Sequence, residues 1–188
     1  IQASKELIEL GPGADGKEYF TTRAMFDNEN DIQNFADYLR KQNGHEVSER
    51  AINKIISASS LSEEQADAAK HLVSGKGIAA LLGRAGTGKS YTLGVVNDIW
   101  RVSGDRVHGI ALSGKAADGL NEVGIESRTI TSFLYGLRNG YTKLGYKDII
   151  VLDEAGMVDS VGYREILEAI ALAGAKFVYA GDPSQALP

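Results

Sequence analysis

The stretch GRAGTGKS at residues 83–90 restricts the possible folds of this chain more than any other feature. It follows an apolar run at 78–82 and precedes the helix-like stretch SYTLGVVNDIW. A strand, a loop of the pattern G-x-x-x-x-G-K-[ST] and a helix, in this order, form a phosphate-binding unit, because backbone N–H groups and the positive helix end face the anion. A glycine-rich turn that precedes a helix by coincidence is the alternative, expected in on the order of one such chain in a hundred. The flanking runs favour phosphate binding.

Short apolar runs alternate with helical stretches from residue 77 onward. The runs are IAALLG, VHGIAL, IIVLD and KFVYAGD, each followed by glycine or small polar residues. Continuous apolar runs are typical of strands buried on both faces, and their alternation with helices favours parallel βαβ units. We therefore predict an α/β domain over residues 61–188, with a parallel sheet flanked by helices. Ligands of such sheets bind beyond the carboxyl ends of the strands, where every motif described below falls.

The first part of the chain predicts a small helical arm over residues 1–60. Glycine and proline interrupt it at 11–17, and apolar residues spaced i, i+3, i+4 and i+7 from Ile32 to Leu39 indicate an amphipathic helix. Ser62, followed by Glu64 and Gln65, indicates the start of a further helix. The predicted elements are a short strand or extended arm at 18–26 and helices at 30–42, 48–58 and 62–75.

Composition excludes several classes of protein. The 188 residues include no cysteine, which rules out disulfides and thiolate metal sites, and no window reaches the ~18 apolar residues of a membrane span. The net charge is -5, with 7 basic and 10 acidic residues in 1–60 and 13 and 15 in 61–188. Contact with nucleic acid would therefore need a local groove. The histidines His45, His71 and His108 lack the spacing of a metal site. We expect a cytoplasmic protein without a membrane partner.

Acidic residues at the end of IIVLDEA supply a second part of the predicted site. Asp153 can hold the Mg²⁺ that the Ser90 hydroxyl would also bind, while Lys89 neutralises the β and γ phosphates. Glu154 is positioned to take a proton from water, as a general base must. Gln185, in the final phrase GDPSQALP, can hydrogen-bond the γ phosphate or the attacking water. Taken alone, the two acids are also typical of solvated carboxylates, and GDPSQ is typical of a proline turn.

A resemblance to a known family rests on six phrases in a fixed order. The phrases are LSEEQ, GRAGTGKS, ALSGKAADGL, ESRTITSF, VLDEAGMV and GDPSQ. Together they resemble the first RecA-like lobe of superfamily 1 helicases of the RecD-like group, and more narrowly the helicase portion of conjugal-transfer relaxases of the TraA/TraI type. The resemblance covers residues 60–188 well and extends faintly into YFTTRAMFDNEND. It implies a RecA-like P-loop NTPase domain that uses ATP and Mg²⁺.

The resemblance also implies a role for each matching residue. The glutamine of LSEEQ reads the adenine edge, and the phrases SGK and TIT contact the backbone of single-stranded DNA. Members of the wider group often have histidine where Thr131 stands, and Ser113 alone is equally typical of a helix N-cap. The nucleotide-binding candidates are Gln65, Gly83, Arg84, Ala85, Gly86, Thr87, Gly88, Lys89, Ser90 and Tyr91. The catalytic candidates are Lys89, Glu154 and Gln185, the metal candidates Ser90 and Asp153, and the DNA candidates Ser113, Gly114, Lys115, Thr129 and Thr131.

The implied function is that of the ATP-binding first motor lobe of a DNA helicase in plasmid conjugative transfer. In the full-length protein, Mg-ATP hydrolysis would drive translocation along single-stranded DNA, with a second RecA-like lobe and a relaxase domain in cis. We expect this chain to be a segment that ends before the second lobe, and therefore to bind DNA weakly and hydrolyse ATP slowly. An arginine from a partner can contribute ~10³ to 10⁵ in rate. The alternatives are a nucleotide switch or small-molecule phosphotransferase without a DNA partner, and a degenerate lobe kept as a docking surface.

Overall fold

Five parallel strands form the central sheet of this protein. The computed structural model describes residues 6–84, 86–153 and 158–182. The strands of the described part are β1 Leu7–Pro12, β2 Glu18–Thr22, β3 Ile78–Leu82, β4 Arg106–Ala111, β5 Glu126–Thr129, β6 Asp148–Asp153 and β7 Lys176–Gly181. The helices are α1 Arg23–Lys41, α2 Glu49–Ala58, α3 Glu63–Leu72, α4 Lys89–Val102, α5 Gly114–Glu122, α6 Ile130–Arg138 and α7 Ser160–Ala173.

The strand order in the sheet is β3-β7-β6-β4-β5, and every neighbouring pair is parallel. Alternate residues of β6 face opposite sides: Ile149 and Val151 belong to one buried cluster, Ile150 and Leu152 to the other. Because helices cover both faces, an apolar residue is favoured at every position of a central strand. This arrangement confirms the predicted α/β class with a parallel sheet flanked by helices.

Helices from both parts of the chain cover the two faces. Apolar residues of α3 and α4, with Trp100 fully buried, form one core, against which Ile52 and Ile55 of α2 pack. Residues of α6 and α7 form the other core, which also contains the fully buried Leu39 of α1. The division of the chain at residue 60 stays a prediction.

The local structure differs from the predictions in the N-terminal hairpin, at the start of α1 and at the sheet edge. The strand predicted at 18–26 ends at Thr22, because the Thr22 side chain accepts a hydrogen bond from the Met25 N–H and starts α1 there, not at residue 30. Residues 11–17 contribute the end of β1 and the turn of an antiparallel β1–β2 hairpin. Strand β5 was not predicted, since its sequence ESRT is short and polar and it lies at the sheet edge.

Helices α2 and α3 lie close to their predicted positions. Ser48 and Ser62 are the N-caps of α2 and α3, so the predicted helices 48–58 and 62–75 become Glu49–Ala58 and Glu63–Leu72. None of the described helices combines the length and apolar character that crossing a membrane requires.

Candidate functional site

All the predicted motifs with described positions meet along one edge of the sheet, apart from Gln65 on α3. The cross-strand pairs at this edge are Leu82–Gly181, Ala180–Asp153, Asp153–Ala111 and Ala111–Thr129. They run through all five strands at their carboxyl ends, a span of about 19 Å at the usual strand spacing. Two strand spacings, about 10 Å, separate β6 with Asp153 from β3 with the glycine loop. Parallel pairing therefore brings together residues that are far apart in sequence.

The loop after β3 takes its shape from glycine. Gly86 and Gly88 both have φ +80°, which side-chain-bearing residues rarely adopt, and Gly88 is the N-cap of α4. A Cβ on Gly88 would overlap the Gln65 side-chain amide, and one on Gly83 would lie 2.7 Å from Thr87 Oγ1. A Cβ on Gly86 would meet open space. The loop thus needs glycine both for its left-handed backbone and for the close packing of neighbouring side chains against it. It leads into the N–H groups at the start of α4, a helix of 14 residues.

Lys89 lies over the start of this loop. Its Nζ donates hydrogen bonds to the carbonyl oxygens of Gly83, at 2.5 Å, and Arg84, at 3.1 Å. Thr87 Oγ1 donates to the same Arg84 carbonyl at 2.8 Å. Among the described residues, no carboxylate forms a salt bridge with Lys89. In the described part of the chain, the ammonium group is therefore held by two neutral carbonyls.

Gln65 joins helix α3 to the loop. Its Oε1 accepts from the Ser62 N–H at 3.0 Å while Ser62 Oγ accepts from the Gln65 N–H at 3.3 Å, which completes a capping box. Its Nε2 donates to the Thr87 carbonyl at 3.0 Å. Each end of the amide makes one contact with protein atoms, and an amide has a second N–H and a second lone pair. Adenine recognition by Gln65, which stays a prediction, therefore does not require either contact to be given up. The S-x-x-Q spacing indicates the N-cap of α3 in the sequence, but the contact between Gln65 and the Thr87 carbonyl was not predicted.

A small cleft lies between α3, the end of β3 and the glycine loop. Its volume is about 150 Å³. The residues that line it are Ser62, Glu64, Gln65, Ala68, Leu81, Leu82, Gly83, Thr87, Lys89 and Thr92. Tyr91 is exposed beside the loop, and its hydroxyl accepts a hydrogen bond from the Ser60 N–H at 3.0 Å. The connection between α2 and α3 is thereby fixed to the first turn of α4, a contact that the sequence did not predict.

The metal candidates fit a Mg²⁺ ion that is bound together with phosphate. Ser90 is exposed on the first turn of α4, and Asp153 is half-buried at the end of β6, so both belong to the same sheet edge. No group of three or more His, Cys, Asp or Glu side chains in the described ranges has the arrangement of a metal site. Mg²⁺ usually takes one or two protein ligands and completes its shell with phosphate oxygens and water. A hydroxyl and a carboxylate on one edge match that requirement.

The DNA candidates lie at two neighbouring helix starts. Ser113 Oγ accepts from the Ala116 N–H and Thr129 Oγ1 from the Ser132 N–H, both at 3.2 Å, so each hydroxyl caps its own helix. The N-cap interpretation of Ser113 is thus confirmed. Gly114, Lys115 and Thr131 are exposed in the first turns of α5 and α6. Exposed N-terminal turns with a lysine can still contact a phosphate backbone.

Three candidates lie outside the described residues. They are Ala85, Glu154 and Gln185. Asp182, which precedes the last of these phrases, is half-buried directly after β7.

The opposite, amino edge of the sheet is also polar, and the charged side chains of Asp148 and Lys176 are buried there. The Asp148 carboxylate is 1% exposed and accepts from Arg106 Nε at 2.9 Å, Arg106 Nη2 at 2.8 Å and the Gly145 N–H at 2.7 Å. His108 Nε2 lies 2.8 Å from the same carboxylate. Burial alone would raise the pKa of Asp148, but the hydrogen bonds from Arg106 and His108 outweigh it and lower the pKa.

Lys176 is the second buried charge at the amino edge. It is completely buried, and its Nζ donates to the carbonyls of Ser74 and Lys76, both at 2.6 Å. Burial lowers the pKa of Lys176 to about 8, partly opposed by the charge of Asp105. The ring of His45 stacks on Tyr146 with centroids 5.0 Å apart, and burial together with the positive charge of Lys176 lowers the His45 pKa.

Comparison with known proteins agrees with the motif resemblance. Residues 60–188 match the model of a family described as AAA domain. The probable conjugal transfer protein TraA of Sinorhizobium fredii is 38% identical over 190 residues, and the conjugal transfer protein TraA of Agrobacterium fabrum is 37% identical over 190 residues. Both alignments cover 100% of this chain and 17% of the relative, so the chain spans about a sixth of the length of these proteins.

A further relative is the ATP-dependent RecD2 DNA helicase of Deinococcus radiodurans. It is 34% identical over 133 residues, which cover 68% of this chain and 18% of that protein. The family match and this relative support a nucleotide-binding domain of the helicase type. The five-stranded parallel sheet with helices on both faces has the RecA-like architecture that the motifs imply. The chain therefore belongs to the AAA domain family, in the RecD-like helicase group that its motifs resemble.

Proposed function

We propose that this chain is the ATP-binding first motor lobe of a DNA helicase that acts in plasmid conjugative transfer. The observation that carries the proposal is the row of strand ends, with the glycine loop at β3, Asp153 at β6 and two exposed helix starts at β4 and β5. We call the ends of β3 and β6, with the glycine loop and Asp153, the nucleotide half of this edge. The ends of β4 and β5, with the two helix starts beside them, are the DNA half. The relatives, a conjugal transfer protein and a DNA helicase, agree with both halves.

In the nucleotide half, the chain supplies positive charge and N–H donors for the triphosphate. The N–H groups at the start of α4 would donate to phosphate oxygens, as helix N-termini do. Lys89 would leave its two loop carbonyls, Gly83 and Arg84, and turn its ammonium group to the β and γ phosphates. The exchange replaces bonds to neutral carbonyls with bonds between opposite charges, N⁺–H···O⁻, which are among the strong hydrogen bonds of proteins. Gln65 would keep the loop fixed to α3 while the lysine moves.

The hydrolytic step needs a cation and a base. Mg²⁺, when bound, would neutralise developing charge on the phosphates. Ser90 and Asp153 are the residues that would hold it. Glu154 would accept a proton from the attacking water, and Gln185 would hydrogen-bond the γ phosphate, as their motif positions imply. In the whole protein, an arginine from the second lobe would complete this site, which is why the chain alone should turn over slowly.

In the DNA half, α5 and α6 point their N-termini to the same edge. The exposed N–H groups of Gly114 and Lys115, together with the Lys115 side chain, would contact phosphates of a single strand. Movement of a second lobe over this edge would couple hydrolysis to stepping along DNA. With a net charge of -5, this segment should bind DNA weakly by itself.

The decisive measurement is a calorimetric titration of Mg-ATP into the purified chain and its Lys89→Ala variant. We expect the variant to bind on the order of 100-fold more weakly, since a charge-assisted contact to phosphate is worth about 3 kcal/mol. Lys70→Ala is the matched control, because Lys70 forms an exposed ion pair with Asp67 on α3. Equal affinities for wild type and Lys89→Ala would reject the nucleotide site.

Hydrolysis and DNA are tested separately. In the full-length protein, Glu154→Gln should retain ATP affinity and lose hydrolysis that single-stranded DNA stimulates. ATP binding by the full-length protein without any response to DNA would favour the nucleotide switch or phosphotransferase and contradict the helicase assignment. Failure to bind nucleotide at all would favour a docking role.

A further inference from the structure

Two exposed tyrosines lie next to each other on the surface, on and just after helix α6, which begins at the DNA half of the sheet edge. Tyr135 lies on α6 and Tyr141 in the following loop, with ring centroids 6.2 Å apart and planes at 44°. They are 61% and 78% exposed, so neither ring is positioned by burial in the core. The loop is instead tied to the helix: Asn139 Nδ2 donates to the Tyr135 carbonyl at 2.8 Å, and the Thr142 N–H donates to the Gly136 carbonyl at 2.9 Å. We call Tyr135 and Tyr141 the tyrosine pair.

The segment around the tyrosine pair is basic although the whole chain is acidic. Residues 127–147 contain four basic and no acidic residues, within a chain of net charge -5. Arg138 pairs with Glu165 and Lys147 with Asp105. Arg128 and Lys143 form no salt bridge with any residue in the described ranges. Within the described ranges, Lys143 and Arg128, whose guanidinium lies 5.1 Å from the centroid of the Phe133 ring, thus add positive charge to this segment that no carboxylate neutralises.

The tyrosine pair also lies on the path that leads away from the proposed DNA contacts. Thr131 and Tyr135 are four residues apart on α6 and therefore share one face, about 6 Å from each other along the helix axis. Thr131 lies at the carboxyl edge, where the start of α6 neighbours the start of α5 with Lys115. A polymer that crosses these two helix starts would reach the tyrosine pair within one helical turn.

We propose that the tyrosine pair is a base-stacking platform for single-stranded nucleic acid, with Arg128 and Lys143 as phosphate contacts. This inference rests on the proposed function for the path of the strand. Exposed aromatic rings beside positive charge suit a single strand, because its bases offer free faces for stacking while its phosphates attract cations. In a duplex the bases are already stacked on each other, so the platform selects single strands. It tolerates any sequence, because every base has a π-face.

The test uses fluorescence anisotropy of labelled oligothymidylate, about 16 nucleotides long, with the purified chain at low salt. The double variant Tyr135→Ala/Tyr141→Ala should bind about tenfold more weakly, and Tyr135→Phe/Tyr141→Phe should bind like wild type, since the rings remain. Tyr38→Ala is the matched control, an exposed tyrosine on α1 at 47% exposure, and should not change the affinity. An abasic oligonucleotide of equal length should bind wild type as weakly as oligothymidylate binds the double alanine variant.

Several results would overturn the platform. One is equal affinity of wild type and the double alanine variant; another is equal affinity of wild type for the thymidylate and abasic strands. Absence of oligothymidylate binding by the wild-type chain at low salt would also reject the platform. It would favour a protein partner as the ligand of the two rings. Mg-ATP titration of the same samples, with Lys89→Ala beside them, separates this failure from failure of the proposed nucleotide site. Weaker oligonucleotide binding by Lys115→Ala alone would support the DNA edge and remove the tyrosine pair from it.

Discussion

The two edges of the central sheet differ in how deeply their charged groups are buried. At the amino edge, Asp148 is 1% exposed with its carboxylate surrounded by donors, and Lys176 is fully buried between two carbonyls. At the carboxyl edge, Lys89 is half-buried and, within the described ranges, donates to two carbonyls of its own loop, while Lys115 is exposed. Lys89 and Lys176 each donate two hydrogen bonds to carbonyls, so it is burial that distinguishes the two edges. A charge enclosed by protein atoms is closed to a ligand, whereas a charge at the surface can reach one.

The largest expected effect on stability lies at the amino edge. Asp148→Ala should lower the free energy of unfolding by about 3 kcal/mol, because it leaves donors on Arg106, His108 and Gly145 without their acceptor. The affinity of the folded variant for Mg-ATP should stay unchanged. Urea denaturation measures the first quantity and calorimetry the second. Asp67→Ala, which removes an exposed ion pair with Lys70, should cost under about 0.5 kcal/mol.

A large loss of nucleotide affinity in folded Asp148→Ala would contradict this separation of the two edges. The pH dependence gives an independent check. Because the folded pKa of Asp148 lies below its ordinary value of 3.8, its stabilisation is complete above pH 3.8 and is lost as the pH falls through the folded pKa.

Lys176 should make stability depend on alkaline pH. Its pKa is about 8 in the folded protein and 10.5 ordinarily, so between these values the unfolded chain binds more protons and the free energy of unfolding rises with pH. The rise should reach at most about 3 kcal/mol. Denaturation curves of wild type and Lys176→Met across this range measure it as a growing difference between the two proteins. A constant difference would mean that Lys176 titrates in the folded state as it does in water.

Much of the sheet could be predicted from sequence, whereas the amino edge could not. Continuous apolar runs indicate β3, β4, β6 and β7 because both faces of these strands are buried. The glycine loop is predictable because its spacing encodes a backbone shape. Asp148 and Lys176, by contrast, look like ordinary charged residues at the starts of strands. Their burial depends on partners such as Arg106 and Ser74, which tertiary contacts bring from 42 and 102 residues away.

The carboxyl edge can be probed with two glycines of equal backbone conformation. Gly88→Ala should lower the free energy of unfolding by about 2 kcal/mol, since its φ of +80° is strained for alanine and the new Cβ displaces the Gln65 amide. Gly86→Ala has the same φ but meets open space, so it should cost about 1 kcal/mol. Thermal unfolding of both variants measures the difference. Equal losses would mean that the contact between Gln65 and the loop contributes nothing.

Ser113 separates a structural role from a binding role at a single position. As the N-cap of α5 it stabilises the helix, so Ser113→Ala should cost about 1 kcal/mol of stability. Ser113→Asp keeps a good cap and should retain stability, but its negative charge would repel a phosphate. If the start of α5 contacts DNA, the aspartate variant should bind oligothymidylate about fivefold more weakly than wild type. If Ser113→Asp binds oligothymidylate with wild-type affinity, Ser113 acts only as the cap of α5. Lys115 would then provide the DNA contact at the end of β4.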